Sequence, residues 1–164
     1  MIGWIKVNES GGYFMSFYDF LVFVHIFSAI LGLGPGFFMI FVVKNANNMT
    51  ELRHAFKIRD QLHMFTMIGG TLLLVSGLIM GFMKPFLFTR GWYVISLGLF
   101  LLVLIAGSLV LKPKSAPIKQ MLKTHQGEEI PKEYDEKAKA LFFYERLTNI
   151  VFLIIIALMI LKPF

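Results

Sequence analysis

His25 is the side chain of this sequence best placed to do chemistry. It stands inside an apolar run from Phe17 to Val43, where an ionisable group is costly and therefore marks a candidate site. It lies six residues inside Asp19, or about 9 Å at the rise of a helix. An imidazole at that depth has two functional uses, as a ligand to haem iron or as a base that moves a proton. It has one structural use, as a neutral ring hydrogen-bonded across a helix bundle. Spacing leaves all three open.

Ser28, Ala29, Gly32 and Gly36 follow His25 at i+3, i+4, i+7 and i+11, so four small side chains share its stripe on a helix. Tyr18 precedes it by two turns on the same face. Such a stripe admits the close approach of a flat ring or of another helix backbone. A six-coordinate haem needs a second ligand at similar depth, and Met80, four residues inside Lys84 on the second apolar run, is the candidate. Methionine is also the usual filler of irregular apolar gaps, and a five-coordinate haem on His25 is equally compatible. The candidate cofactor-binding set is thus His25, Ser28, Ala29, Gly32, Gly36 and Met80, with His25 as the metal ligand.

Other titratable groups point away from a site. His54 and His63 belong near the opposite end of the span from His25, too far to share an iron with it, and His125 lies in a charged segment with Gln126 and Gly127. Glu145, Arg146 and Asn149 are expected to join Arg59 and Asp60 in a polar cluster that orients and pairs helices. No Asp, Glu, Lys or Arg lies deep in an apolar run, which argues against a proton pump or ion-coupled carrier. Phosphate loops, dinucleotide fingerprints, His-Glu-x-x-His pairs and nucleophile elbows are missing. With no cysteine in 164 residues, disulfides, cysteine nucleophiles and thiolate metal sites are excluded.

The elements that must carry these residues follow from composition. The chain is 57% hydrophobic and 16% charged, and about 20 apolar residues suffice for a helix to cross a bilayer. Four runs qualify, giving helices over about 17–43, 62–84, 92–111 and 140–161 in a single domain, 1–164. The last is short and is expected to borrow length from a helix begun around Pro131. Thr50 to Gln61 reads as an extension of the second helix with Thr50 as its cap, and 112–139, rich in Lys, Glu and Pro, as a solvated loop with short helical pieces. Gly34-Pro35-Gly36 should bend the first helix. Gly70, Leu73, Gly77 and Gly81 form a row on the second, by which helices one and two should touch. The expected fold is an all-α, four-helix up-down bundle.

The net charge of +6 is a matter of topology. Lys44, Arg53, Lys57 and Arg59 fill the first connection and Lys112 to Arg146 the third, against Lys6, Lys84, Arg90 and Lys162 elsewhere. The positive-inside rule places the two basic connections in the cytoplasm and both termini outside. Nucleic acid is not an expected partner. The bilayer is, together with another membrane protein or a second copy of the chain. Met1–Gly12 has no apolar core of a signal peptide, and Met15 is an alternative start.

Val24-His25 with the small residues through Gly32 and Gly36, then Gly69-Gly70, Ser76-Gly77, Arg90-Gly91-Trp92 and Met159 to Pro163, resembles a bacterial family of predicted integral membrane proteins. That family is similar to copper-resistance protein D and to the four-helix membrane protoporphyrinogen oxidases. For the oxidases the resemblance implies a b-type haem on a helix-one histidine, a role that falls on His25. Their histidine and lysine after the Gly-Trp of helix three are replaced by Val94 and Ser96, which argues against porphyrinogen oxidation. For the copper proteins it implies metal handling, although no Met-x-Met run or second deep histidine supports a copper site. The resulting expectation is a haem-b-binding, redox-related protein of a bacterial cytoplasmic membrane. The alternative is a non-enzymatic accessory or assembly subunit that docks through its glycine rows, with a permease third.

Overall fold

Backbone polar groups in hydrocarbon must find partners within their own segment, and among the described residues four helices long and apolar enough to cross a membrane meet that demand. The computed structural model describes residues 16–164 in full. Before them it describes only the backbone of two paired antiparallel strands, β1 (Lys6–Val7) and β2 (Tyr13–Phe14). Met15, the alternative start, and the side chains of Met1–Gly12 lie outside the described residues.

Helix α1 spans Phe17–Lys44 and runs through Pro35 without a break. A capping box starts it: the Ser16 hydroxyl accepts from the Asp19 amide at 3.2 Å, and the Asp19 carboxylate accepts from the Ser16 amide at 3.3 Å. Helix α2 spans Met49–Met83. A five-residue 3₁₀ turn, Pro85–Thr89, makes the tight connection to α3, Gly91–Ala106. A π-helical segment at Gly107–Leu111 joins α3 to α4, Lys112–Thr124, in one continuous rod. The wider π backbone lies directly before Pro113, whose ring would otherwise crowd the carbonyl one turn back. Helix α5 spans Lys132–Leu161 behind Pro131.

Helix α2 begins at Met49 and so includes the extension read over Thr50–Gln61, and α5 begins at Lys132, next to the start read at Pro131; the departure is in 112–139, most of which is helix rather than loop. The cause is a second apolar core beyond the membrane spans. Met49, Leu52 and Phe56 of α2 meet Ile118 and Leu122 of α4 and Tyr134, Ala138 and Leu141 of α5. These spacings of three and four residues put each set on one helix face. The bundle therefore continues past the bilayer as a helical stem. At 35 residues, α2 is about 52 Å long against a hydrocarbon core of about 30 Å, so it can serve both cores.

The cap of α2 is also not the expected one. The Asn48 side chain accepts from the Glu51 amide at 2.8 Å, whereas the Thr50 hydroxyl donates to Glu128 at 3.1 Å. Asn48→Ala is expected to lower stability by about 1 kcal/mol and Thr50→Ala to change little, as read by thermal unfolding in detergent.

Within the membrane, α1 and α2 form the closest pair and α3 and α5 the next. A Cβ added at Gly32 would lie 2.7 Å from the Gly70 nitrogen and 2.8 Å from the Gly69 carbonyl carbon. The two backbones touch there, as expected of helices one and two, but the closest approach is at Gly69 rather than along the row of Gly70, Leu73, Gly77 and Gly81, of whose glycines only Gly77 has its Cβ position toward an α1 side chain, that of His25. Between α2 and α3 the packing is by side chains: the Tyr93 hydroxyl donates to the Gly77 carbonyl at 2.9 Å, and the Phe100 ring faces Gly70. Leu33, Leu73, Phe100, Val103, Phe152 and Ile155 form the inner core.

Candidate functional site

Two close helix pairs separated by a layer of side chains leave room between them. The room is a cleft of about 470 Å³ in the half of the bundle away from the stem. His25, Ala29 and Leu33 contribute from α1, Leu73 and Gly77 from α2, Tyr93, Ser96 and Phe100 from α3, and Ile155 and Met159 from α5. No charged side chain lines it among the described residues. The volume falls in the usual range for small-molecule sites.

His25 is held at the wall by a relay. Its Nδ1 lies 2.9 Å from the Ser76 hydroxyl oxygen, and that hydroxyl donates to the Leu72 carbonyl at 2.7 Å. With the serine proton given to Leu72, the serine oxygen accepts, and this favours the tautomer with its proton on Nδ1. The Nε2 lone pair is then left open, with no hydrogen-bond partner among the described residues. This is the arrangement by which a neighbouring acceptor orients a ligating histidine. Gly77 makes room for the ring, since a Cβ there would stand 3.2 Å from His25 Cε1.

The second polar feature is Ser96. Its side chain is 1% exposed, and its hydroxyl has no partner among the described residues. A buried hydroxyl without a partner carries a free-energy cost of about 1 kcal/mol or more, so the cleft floor holds an unanswered donor and acceptor. Sequence reasoning treated Ser96 only as a substitution. Serine in a span faces lipid, helix or ligand with equal ease, and nothing in its spacing distinguishes these.

The stripe of helix one divides three ways. His25 and Ala29 reach the cleft. Ser28 is fully buried and donates to the Val24 carbonyl at 2.6 Å, and Gly32 is filled by the α2 backbone. Gly36 faces α5, where the Asn149 amide donates to its carbonyl at 3.1 Å. Ser28, Gly32 and Gly36 therefore serve contacts within the chain rather than a macrocycle's face. Met80 is buried but is not among the residues lining the cleft, which takes it out of the candidate set; the methionine that does line the cleft is Met159 of α5. Gly81 faces Tyr93 and Phe88, so the row on α2 is also consumed within the chain.

Elsewhere the expected polar cluster forms in part. Arg59 and Glu145 make a buried ion pair, Asp60 pairs with Lys119 at 2.6 Å, and Arg146 stays exposed. His54 and His63 are exposed, and His125 is half-buried with its carbonyl accepting from Arg53. Among the described residues no three His, Asp or Glu side chains gather to hold a bare metal ion. A lone imidazole suits a metal whose other ligands arrive with it, as in a porphyrin.

A family model described as a predicted integral membrane protein (DUF2269) matches residues 19–163. No curated protein and no solved structure matches. The wider likeness to copper-resistance protein D and the protoporphyrinogen oxidases finds no support in these comparisons.

Proposed function

Since the chain belongs to this family of integral membrane proteins, we propose that it is a multi-pass protein of a bacterial cytoplasmic membrane that binds b-type haem in its cleft, in a redox-related role. The basic stem faces the cytoplasm on this reading, because ten or more of its Lys and Arg would otherwise have to be translocated. One observation carries the haem reading: His25 is held through Nδ1 by Ser76, with no hydrogen-bond partner for Nε2 among the described residues, on an uncharged cleft.

Haem, when bound, would supply one-electron chemistry that no side chain of this chain provides. The protein's own contribution is to orient the ring nitrogen, exclude water with Leu33, Leu73 and Phe100, and keep the metal's surroundings of low polarity. The propionates would need cations. Lys84, Arg90 and Lys162 stand at this end of the bundle, each over an aromatic ring and without a carboxylate partner among the described residues.

The test is a reduced-minus-oxidised spectrum of protein purified in detergent from haem-replete cells. Wild type should show a b-type difference spectrum, and His25→Ala should lose at least nine-tenths of it at equal protein. Ser76→Ala should keep the haem but weaken retention about tenfold, the usual size of such an orienting contact. A wild-type spectrum without haem, or one unchanged in His25→Ala, removes the reading.

A further inference from the structure

The cleft opens toward lipid rather than toward water. Its rim is made by Ile26, Ile30 and Phe37 of α1 and Ile160 of α5, which are 55%, 68%, 36% and 72% exposed. All four lie within the spans, where exposure means contact with acyl chains. Toward the stem α1 and α5 are joined by the Asn149 bond to Gly36, so the gap belongs to the other half of the bilayer. With the stem in the cytoplasm, that half is the outer leaflet.

We propose that the gap between α1 and α5 is a lateral port through which the cleft takes a neutral, chain-bearing lipid from the outer leaflet. Its hydroxyl head would donate to the open nitrogen of His25, and the oxygen of a hydroxyl or carbonyl head would accept from the Ser96 hydroxyl. Three features fix this class. The lining has no charge to compensate an ionic head group, whose desolvation would be costly. The walls are otherwise apolar and suit a chain. The floor carries an unpartnered Ser96 hydroxyl, 1% exposed, with the open His25 nitrogen also on the cleft. The proposal stands on the shape and lining of the cleft and not on haem; lipid and haem exclude each other there.

Tryptophan fluorescence reads the port directly. The chain has two tryptophans, Trp4 and Trp92, and both are changed to Phe. One reporter is then introduced, Phe100→Trp on the cleft or Phe152→Trp off it. Both parent rings are 6% exposed in the same inner core, but only Phe100 lines the cleft.

In vesicles of phosphatidylcholine with brominated chains, the Phe100→Trp reporter should be quenched at least twice as strongly as the Phe152→Trp reporter. In unbrominated vesicles, decylbenzoquinone should quench Phe100→Trp saturably. Ser96→Ala should raise the half-saturating mole fraction about fivefold or more; decanol, whose hydroxyl can also donate to His25, should compete with the quinone in wild type and about fivefold more weakly in His25→Ala, and decanoate should not compete.

Gly34→Phe closes the test. Gly34 lines the cleft, and nothing lies within 4 Å of a Cβ built there, so the ring can fill the port without disturbing the fold. It should cut both quenching effects at least threefold, with Gly34→Leu intermediate. Equal quenching at the two reporters, or unsaturable quenching by the quinone, overturns the proposal. Wild type without a haem spectrum but with saturable quenching removes only the haem reading.

Discussion

Gly69→Leu is expected to abolish the folded bundle while leaving four helices able to insert. A Cβ at Gly69 would collide with the Gly32 nitrogen and approach its Cα at 2.6 Å and the Leu31 carbonyl carbon at 2.7 Å. These are backbone atoms, so no rotamer change relieves the clash, and α1 must separate from α2 along their whole contact. Transmembrane helices associate largely by packing of this kind, so losing it should cost about 4 kcal/mol or more, in the range reserved for severe lesions. Insertion depends on hydropathy, which leucine does not lower. The variant should therefore stay in the membrane fraction but lose a cooperative thermal transition in detergent.

The neighbouring glycine supplies the control. A Cβ at Gly70 meets only the Phe100 ring at 3.8 Å, an ordinary contact, so Gly70→Ala should be close to neutral. A Gly69→Leu protein that melts within a few degrees of wild type would show that the two backbones do not touch.

Glu145→Ala is the second large effect. Arg59 and Glu145 form an ion pair in which each side chain is 9% exposed. Arg59 also lies 5.3 Å from the Phe56 ring centroid. Removing the carboxylate leaves a guanidinium buried without a counter-charge, an error worth about 3 to 5 kcal/mol. Removing both charges is a different experiment. Arg59 Nε and Glu145 Oε2 are buried without partners among the described residues, so the pair is imperfectly satisfied even when intact.

The double variant Arg59→Met with Glu145→Leu should accordingly recover most of the loss seen in Glu145→Ala. Unfolding midpoints of the single and double variants measure this. Additive losses would mean that the two groups do not depend on each other.

The spans were legible because hydropathy over about 20 residues leaves little choice of structure in lipid. His25 stood out by the same rule, and so did the approach of helices one and two through glycine. What surrounds His25 was hidden. Ser76 and Ser96 are small polar residues that occur anywhere in a span, and Ser76 gained its role only from a partner 51 positions away in sequence.

The helix in 112–124 and the core of the stem were missed for a different reason. Lys, Glu and three prolines in 112–139 outweigh Ile118, Leu122, Tyr134, Ala138 and Leu141 in any average, yet these five hold the helical spacing that buries them. Asn48 with Glu51 three positions later was likewise a readable cap, overlooked in favour of Thr50. The division of the small-residue stripe could not be read at all, since a helix and a flat ring make the same demand on glycine.

The two stacked cores have a consequence for how the chain is made. Every contact between α1 and α2 is available once residue 83 has left the ribosome, and the short 45–48 turn makes this hairpin cheap to close. The second core must wait. It joins residues near 52 to residues near 141, so the N-terminal third of α2 emerges with its apolar face uncovered and stays so until nearly the whole chain has been synthesised. The stem is the last joint to form, and an incompletely made or truncated protein is marked by that bare face, which factors that read exposed apolar surface would meet.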